Sequence, residues 1–286
     1  MSWRKYLLLP RLAVSGLGRR PHADAAWESY WDAVSGTGPD GDVLWDGAGD
    51  AELDWWVQAA RDHLDPALPV VDVGCGNGRL SRLLAASFPA VLGIDLSPAA
   101  VELARRESAG NDRVSFRALD ITADGAGATL AAELGEANVV MRGVLHVLDR
   151  DHRRRASAEL AHVLGSRGSL LLLETNWPGD LLGYLEHLGA DHGRLPGALA
   201  RLIDHRLPRP DSFGPAELAL TFPVPGGTTL ASGPSEIAPV RTLGSGAGRT
   251  IPGFHAGVRP APPAASAPEG GPSGQTTTRT DAPPAP

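Results

Sequence analysis

The stretch VVDVGCGNGRL, residues 70–80, constrains the fold of this chain more than any other part of the sequence. An apolar run of strand type reaches Asp72, and glycines then alternate with other residues at Gly74, Gly76 and Gly78 before a helix-compatible run begins. Glycine lacks Cβ, so this turn can adopt positive φ at little cost and a ligand can approach its backbone closely. A strand that ends in such a turn at a helix N-terminus is typical of a nucleotide-binding crevice.

The apolar segments around this turn alternate between strand and helix patterns. Strand-like runs lie at 69–73, 90–94, 114–118, 138–141 and 169–173, with helix-like runs at 79–87, after Ser97-Pro98 and at 151–164. Ser97 is placed to cap its helix, and Pro98 suits the first helical position. Repeated strand–helix units predict a parallel sheet covered by helices on both faces. Two further strand-like runs lie at 235–242 and 251–258.

Three other parts of the chain differ from this alternating core. Residues 1–48 indicate a loose N-terminal cap that is rich in tryptophan, followed by an amphipathic helix at 50–64. Residues 176–222 look helical, in segments at 180–188, 198–207 and 215–221, and lack strand patterns. The tail, residues 261–286, consists mainly of Pro, Ala, Gly, Ser and Thr and is predicted to be disordered, because it cannot bury enough apolar surface.

Composition excludes several classes of protein. The formal net charge of −7 argues against a nucleic-acid partner. Cys75 is the single cysteine, so we expect no internal disulfide and no metal site built from cysteines. The apolar patch near the N-terminus is interrupted by Pro10 and Arg11, which argues against a signal peptide, and no stretch is long enough to span a membrane. A cytoplasmic protein without a membrane partner or metal is therefore expected.

The turn differs from the dinucleotide fingerprint G-x-G-x-x-G by one position. Its third glycine comes one place early, and Arg79 stands where the fingerprint requires glycine. Asp95 ends the second strand, where a carboxylate can accept hydrogen bonds from both ribose hydroxyls, but NAD-binding proteins share that feature. An NAD-dependent oxidoreductase therefore stays open as the less favoured alternative at this point.

With Asp95, the D-x-G-x-G-x-G loop at 72–78 resembles the class I S-adenosylmethionine-dependent methyltransferases. Asp120-Ile121 after the third strand and the run NVVMRGVLHVL at 138–148 extend the resemblance. It implies an α/β fold with a Rossmann-like, doubly wound seven-stranded sheet, mostly parallel with a C-terminal antiparallel strand. The methyltransferase domain would span residues 49–260, with 176–222 as a helical insertion between strands 5 and 6.

The same resemblance implies S-adenosylmethionine as the cofactor and assigns a role to each matching position. Asp72 and the glycine loop, with Cys75 inside it, would hold the methionine portion. Asp95 would bind the ribose, with Leu96 beside the adenine. Asp120 would accept from the adenine amino group, and the Ile121 backbone would lie beside the ring. The backbones of Arg142 and Gly143 would line the sulfonium end. Asn138 departs from the Asp that often opens the fourth strand.

Methyl transfer requires a positioned acceptor and, for many hydroxyl acceptors, a general base. His146, just past the fourth strand, and Glu174, at the end of the fifth, are the candidates. A packed histidine, and a glutamate that caps the turn at 176–177, are the structural alternatives. The alternative is a catalytically silent protein that only binds S-adenosylmethionine, since its cofactor-binding residues would be the same as those of an enzyme.

The acceptor is expected to be a small organic molecule bound between the cap and the insertion. The residues at 141–144 lack the Asp/Asn-Pro-Pro-aromatic turn of nucleic-acid amino-methylation, and Cys75 belongs to the cofactor loop rather than to a nucleophile site. Four aromatic residues could form its walls or could simply close the core: Trp27, Tyr30, Trp31 and Trp177. The sequence does not indicate the oligomeric state.

Overall fold

A computed structural model describes residues 23–47, 50–190, 195–223, 227–240 and 250–259. Its strands are β1 (Val70–Val73), β2 (Val91–Asp95), β3 (Val114–Ala118), β4 (Asn138–Arg142), β5 (Leu170–Thr175), β6 (Thr228–Ile237) and β7 (Ile251–Arg259). They form one sheet in the order β3-β2-β1-β4-β5-β7-β6. The first five strands are parallel, and β7 is antiparallel to both β5 and β6. The predicted seven-stranded, mostly parallel sheet is confirmed.

Helices cover both faces of this sheet. They are α1 (Ala23–Asp32), α2 (Asp50–His63), α3 (Arg79–Leu84), α4 (Pro98–Glu107), α5 (Ala126–Leu134), α6 (Arg150–Leu164), α7 (Leu181–His187), α8 (Gly197–Asp204) and α9 (Pro215–Thr221), with a short 3₁₀ helix at Leu145–Val147. Residues of α2, α3, α7 and α8 pack into one hydrophobic core, and residues of α5, α6 and α9 pack into another. None of the helices in the described ranges is long and apolar enough to cross a membrane.

Local sequence explains the central elements. Every residue of β5 is buried, as its apolar run predicted for a strand covered on both faces. The Ser97 hydroxyl accepts a hydrogen bond from the Ala100 N–H at 3.2 Å, so Ser97 caps α4 as expected, with Pro98 at the first helical position. In α6, Ala156, Leu160 and Val163 are fully buried on the face predicted to be apolar.

Two elements differ from the sequence-based expectation. The sixth strand covers residues 228–237 rather than 235–242, so the predicted position was wrong. As the edge strand it pairs only with β7 and keeps most of its side chains exposed or half-buried, so it needs no apolar pattern. Helix α5 was not predicted, because alanine and glycine dominate its sequence AGATLAAEL and leave a weak helical period.

The N-terminal cap is more ordered than expected. Residues 23–32 form α1, in which Tyr30 is fully buried and Trp31 is 5% exposed. The Glu28 carboxylate of this helix accepts hydrogen bonds from the Ser97 hydroxyl and the Ala99 N–H at the start of α4. The cap therefore docks on the strand-end side of the sheet. The rest of the predicted cap before residue 23 and the tail at 261–286 lie outside the described residues.

Candidate functional site

The glycine loop is built at the carboxyl end of β1. The N–H groups of Gly74 and Cys75 both donate to the Ile94 carbonyl of β2, at 2.8 and 3.0 Å. Gly74, Gly76 and Gly78 have φ of 71°, 53° and 74°, as the sequence predicted for this turn. Packing adds a second requirement: a Cβ would lie 2.4 Å from a Val144 methyl at Gly74, 2.9 Å from the Trp31 ring at Gly76 and 2.6 Å from the Phe116 ring at Gly78.

Asp95 anchors the loop from the neighbouring strand. One carboxylate oxygen accepts the Gly76 N–H at 2.9 Å, and the other accepts the Ser97 N–H at 2.9 Å. Burial raises the pKa of Asp95, and these backbone donors oppose the rise. Each oxygen of this carboxylate keeps further acceptor capacity for a ligand hydroxyl.

Asp72 is the second buried carboxylate of the site. Its Oδ2 accepts a hydrogen bond from the Ser81 hydroxyl at 2.6 Å. Burial, and to a lesser extent the negative charge of Asp95, raise the pKa of Asp72 to about 6, although the Ser81 hydroxyl and the Arg142 charge oppose the rise. An unliganded protein therefore holds Asp72 in an unfavourable environment, which a bound cation would improve.

Three adjoining cavities lie at the carboxyl ends of the strands. The strand-end cavity is lined by Asp95, Leu96, Asp120, Ile121 and their neighbours. The loop cavity is lined by Asp72, Cys75, Gly76, Asn77, Arg79 and their neighbours. The insertion cavity lies against α7, α8 and the segment after α8. Two residues line all three cavities: Trp45 and Arg142.

The first two cavities together suit an amino-acid-bearing nucleoside. The strand-end cavity combines apolar walls at Leu96 and Ile121 with the acceptors Asp95 and Asp120. Asp120 uses one oxygen to accept the Thr122 N–H and hydroxyl, each at 2.8 Å, which holds its carboxylate in place. The loop cavity supplies charges of both signs and shares Gly74, Trp31, Trp45 and Arg142 with the strand-end cavity. An elongated ligand with a nucleoside at one end and a zwitterion at the other fits this pair.

The side chain of Arg142 forms an ion pair at the place where the three cavities adjoin. Its Nε donates to Glu52 Oε1 at 2.7 Å, and a terminal nitrogen donates to the Trp45 carbonyl at 2.8 Å. The other Glu52 oxygen accepts the Ala238 N–H at 3.1 Å. Gly143 follows at the wall shared by the strand-end and insertion cavities. The junction of the cavities is therefore held by an ion pair that sequence reasoning missed.

The two general-base candidates lie together. Glu174 is fully buried, and its carboxylate accepts the N–H groups of Val144, Leu145 and His146 at 3.0–3.1 Å. His146 Nδ1 lies 2.7 Å from Glu174 Oε2. A carboxylate oxygen can only accept, so in the neutral imidazole Nδ1 carries the proton and Nε2 has the lone pair. The Glu174 contacts are with the 3₁₀ helix rather than with the turn at 176–177.

His146 itself lines the insertion cavity, near the strand-end cavity. A Cβ on Gly143, which lines both cavities, would lie 3.6 Å from His146 Cε1. Cε1, which lies between the two ring nitrogens, is therefore close to Gly143. The structure therefore brings a hydrogen-bonded His–Glu pair to the place where two cavities meet.

The four aromatic candidates separate into two groups. Trp27 lines the strand-end and insertion cavities, and Trp31 lines the strand-end and loop cavities. Tyr30 lies behind them, stacked on Trp45 at 5.7 Å between ring centroids, and is not among the cavity-lining residues. Trp177 packs against Tyr184 and is likewise outside the lining of these three cavities.

Several site residues gave no usable signal in the sequence. Asp46 accepts hydrogen bonds from the Gly38 N–H, from Asn77 and from Arg79, and so links the cap to the glycine loop. Glu52 lies on α2, where an acidic residue is normally predicted to be exposed to solvent. Only the docking of the cap brings these side chains to the loop, and no local spacing encodes it.

The open sheet and the cavities at its strand ends define an α/β protein that binds a nucleotide-like cofactor. A family model described as a methyltransferase domain matches residues 70–168. A SAM-dependent methyltransferase from Anabaena variabilis is 30% identical, with a TM-score of 0.71, over 84% of this chain and 96% of that one. A structure from work on converting a disulfide bond into a thioacetal group during echinomycin biosynthesis is 22% identical, with a TM-score of 0.55, over 78% of this chain and 88% of that one.

The structure from the echinomycin work shares the fold of this chain. The similarity to the Anabaena variabilis protein establishes the family. The chain belongs to the SAM-dependent methyltransferases, and its cofactor is S-adenosylmethionine. This membership confirms the resemblance carried by the glycine loop, Asp95 and Asp120. It also sets aside the alternative of an NAD-dependent oxidoreductase.

Proposed function

We propose that this methyltransferase transfers a methyl group to a hydroxyl of a small, largely apolar organic acceptor. The observation that carries the proposal is the His146–Glu174 pair in the wall of the insertion cavity, beside the strand-end cavity. Thiolate and many amine acceptors need no base, whereas most hydroxyls must lose a proton during transfer. A histidine with a free Nε2 in this position favours a hydroxyl.

In this proposal the strand-end and loop cavities hold the cofactor. Asp95 accepts from the ribose hydroxyls, Leu96 and Ile121 enclose the adenine, and Asp120 accepts from its amino group. Asp72 and the loop of Gly74, Cys75, Gly76 and Gly78 hold the methionine portion, with Arg142 and Gly143 at the sulfonium end. Bound S-adenosylmethionine supplies a methyl group on a sulfonium, which is already a good leaving group.

The residues of the chain then have two tasks. The insertion cavity, with Trp27 in its wall, orients the acceptor and excludes water, which contributes most to an in-line displacement. His146 Nε2 accepts the hydroxyl proton as the new carbon–oxygen bond forms. Glu174 does not line the cavity and is a positioning residue: it holds the imidazole by Nδ1 and the 3₁₀ helix by three N–H groups.

The test is His146→Asn, because the asparagine amide can still donate to Glu174 while Nε2 is lost. We expect transfer of a labelled methyl group to a panel of phenols and alicyclic alcohols to fall by a factor on the order of 10²–10⁴. The dissociation constant for S-adenosylmethionine, measured by calorimetry, should not change. NMR of the product identifies the methylated atom.

Two results would contradict the proposal. Unchanged kcat in His146→Asn would show that His146 is only a packed histidine. Methylation of nitrogen or sulfur in preference to oxygen would exclude the hydroxyl acceptor. If the wild type binds S-adenosylmethionine but transfers no methyl group to any member of the panel, the alternative of a silent binding protein gains support.

A further inference from the structure

Two arginines at the insertion cavity extend the proposed function. We propose that Arg206 and Arg209 bind a carboxylate of the acceptor, so that the acceptor is an apolar organic acid that also carries the hydroxyl to be methylated. The inference rests on the proposed function, because it places the acceptor in the insertion cavity with its hydroxyl at His146. It adds the chemical class of the substrate.

The lining of this cavity is apolar except for cationic and neutral polar groups. Leucine and isoleucine side chains of α7, α8, β6 and β7, together with Pro208 and Pro210 after α8, make up much of its wall. Among the described residues no Asp or Glu lines it, although the chain as a whole carries a net charge of −7. A cavity lined by arginines and by no carboxylate, in a protein of net negative charge, favours an anionic ligand.

Arg206 and Arg209 differ from the third arginine of this cavity in having no partner. Arg142 is paired with Glu52, whereas neither Arg206 nor Arg209 forms an ion pair or side-chain hydrogen bond with a residue in the described ranges. Both are exposed at the cavity. Their guanidinium groups offer planar donor sets that match a carboxylate.

The backbone at Arg206 gives an independent reason to regard its side chain as functional. Arg206 has φ of 57° and is the one non-glycine residue with positive φ in the described part of the chain. Its N–H donates to the Ile203 carbonyl, and the Leu207 N–H donates to the Leu202 carbonyl, each at 3.0 Å. This is the helix-ending motif in which glycine is usual at the left-handed position. An arginine there costs backbone energy that glycine would avoid.

The segment that carries the two arginines is fixed to the catalytic side of the cavity. The Asp211 N–H donates to the His146 carbonyl at 2.8 Å, and the Phe213 N–H donates to the Thr175 carbonyl at 3.0 Å. Pro208 and Pro210 restrict φ on either side of Arg209. The arginines and the imidazole therefore belong to one rigid wall, which would set the spacing between the hydroxyl and the carboxylate of an acceptor.

The experiment compares acids with their neutral esters. The full-length protein, saturated with S-adenosylhomocysteine, is titrated by calorimetry with 4-hydroxyphenyl alkanoates of increasing chain length and with the methyl ester of each. The variant is Arg206→Gly/Arg209→Ala, because glycine suits the left-handed backbone and preserves the helix end. Arg106→Ala/Arg155→Ala is the matched control: it removes two exposed arginines of α4 and α6, which do not line the cavity.

We expect the wild type and the control to bind at least one acid about tenfold more tightly than its ester, since charge-assisted hydrogen bonds to carboxylates are strong. Arg206→Gly/Arg209→Ala should lose this preference and bind the ester as the wild type does. Acids that bind no more tightly than esters across the series would overturn the proposal. A variant that still prefers acids to esters would also overturn the proposal, because the two arginines would then not be needed to bind the carboxylate.

The binding contrast involves no methyl transfer, so the two proposals fail separately. A wild type that prefers acids but transfers no methyl group to them would contradict the proposed function and support the carboxylate site. A wild type that methylates the neutral esters with the same kcat/KM as the matching acids would support the proposed function and overturn the carboxylate site.

Discussion

At the scale of single residues, the site holds the Asp72 carboxylate in an environment that disfavours its charge. Asp72 is buried, has Asp95 nearby and has a pKa raised to about 6. The Ser81 hydroxyl donates to its carboxylate at 2.6 Å. In the proposed complex the methionine ammonium would supply the missing positive charge. Stability of the free protein and affinity for the cofactor therefore oppose each other at this position.

Asp72→Asn should separate these two effects. In the wild type the folded state binds the Asp72 proton more tightly than the unfolded state, whose pKa is near 3.8, so the stability that this proton contributes is lost as pH rises from about 4 to about 6. The variant should lack that part of the pH slope. At pH 8 its free energy of unfolding should exceed that of the wild type by up to about 3 kcal/mol, while S-adenosylmethionine binds at least about tenfold more weakly.

Urea unfolding at pH 4, 6 and 8 measures the first effect, and calorimetric titration measures the second. Equal pH slopes in Asp72→Asn and the wild type would mean that Asp72 is not the proton-binding group. Unchanged affinity would remove Asp72 from the cofactor site.

At the scale of elements, the start of α3 depends on an aromatic ring from another strand. Gly78 precedes α3 with φ of 74°, and Phe116 of β3 fills the space where its Cβ would be. The same ring lies 2.5 Å from the position of a Cβ on Gly93 in β2. Phe116 thus packs against the glycine loop and β2, and it shares a hydrophobic cluster with Val101 and Ala104 of α4.

Gly78→Ala should destabilise the protein by about 2–4 kcal/mol, since it adds overpacking to backbone strain. Gly110→Ala is the control: Gly110 has φ of 86° but a Cβ there would meet no atom within 4 Å. The control should therefore cost only the strain, about 1 kcal/mol. Urea midpoints with constant m-values give both numbers. Equal losses of unfolding free energy in the two variants would show that packing against Phe116 does not restrict position 78 to glycine.

At the scale of the whole molecule, one ion pair joins parts that are distant in sequence. Arg142 ends β4, Glu52 lies on α2, Trp45 belongs to the cap, and Ala238 follows β6. Side-chain exposure is 16% for Arg142 and 8% for Glu52, so the pair is largely shielded from water. Because Arg142 lines all three cavities and also binds the cap at Trp45, the position of the cap and the shape of the site depend on the same side chain.

Arg142→Met should cost about 3–5 kcal/mol of unfolding free energy, because it leaves the Glu52 carboxylate buried without its cation. The double variant Glu52→Gln/Arg142→Met should be more stable than Arg142→Met alone, with a coupling energy of about 1–3 kcal/mol in a double-mutant cycle. Urea denaturation of the four proteins gives the cycle. Additive losses would contradict an energetic link between the two residues.

Sequence alone predicted those features that depend on local periodicity. The strands β1 to β5, the cap of α4 at Ser97 and the buried face of α6 follow from apolar spacing and capping chemistry within about a dozen residues. The position of the edge strand β6 was not predicted correctly, because its side chains are mostly exposed or half-buried. Helices α1 and α5 were not predicted, because their apolar patterns are short or poor in large apolar residues.

For the site, the sequence by itself determined the methyl donor, and the tertiary structure decided what surrounds the transferred group. The glycines at 74, 76 and 78, Asp95 and Asp120 stand at successive strand ends, and a parallel sheet brings such ends to one edge. No local rule pairs Arg142 with Glu52, 90 positions away, His146 with Glu174, or Arg206 with the insertion cavity. Those contacts exist only after the cap, the insertion and strands β6 and β7 have packed, because each contact joins residues whose proximity depends on the whole fold.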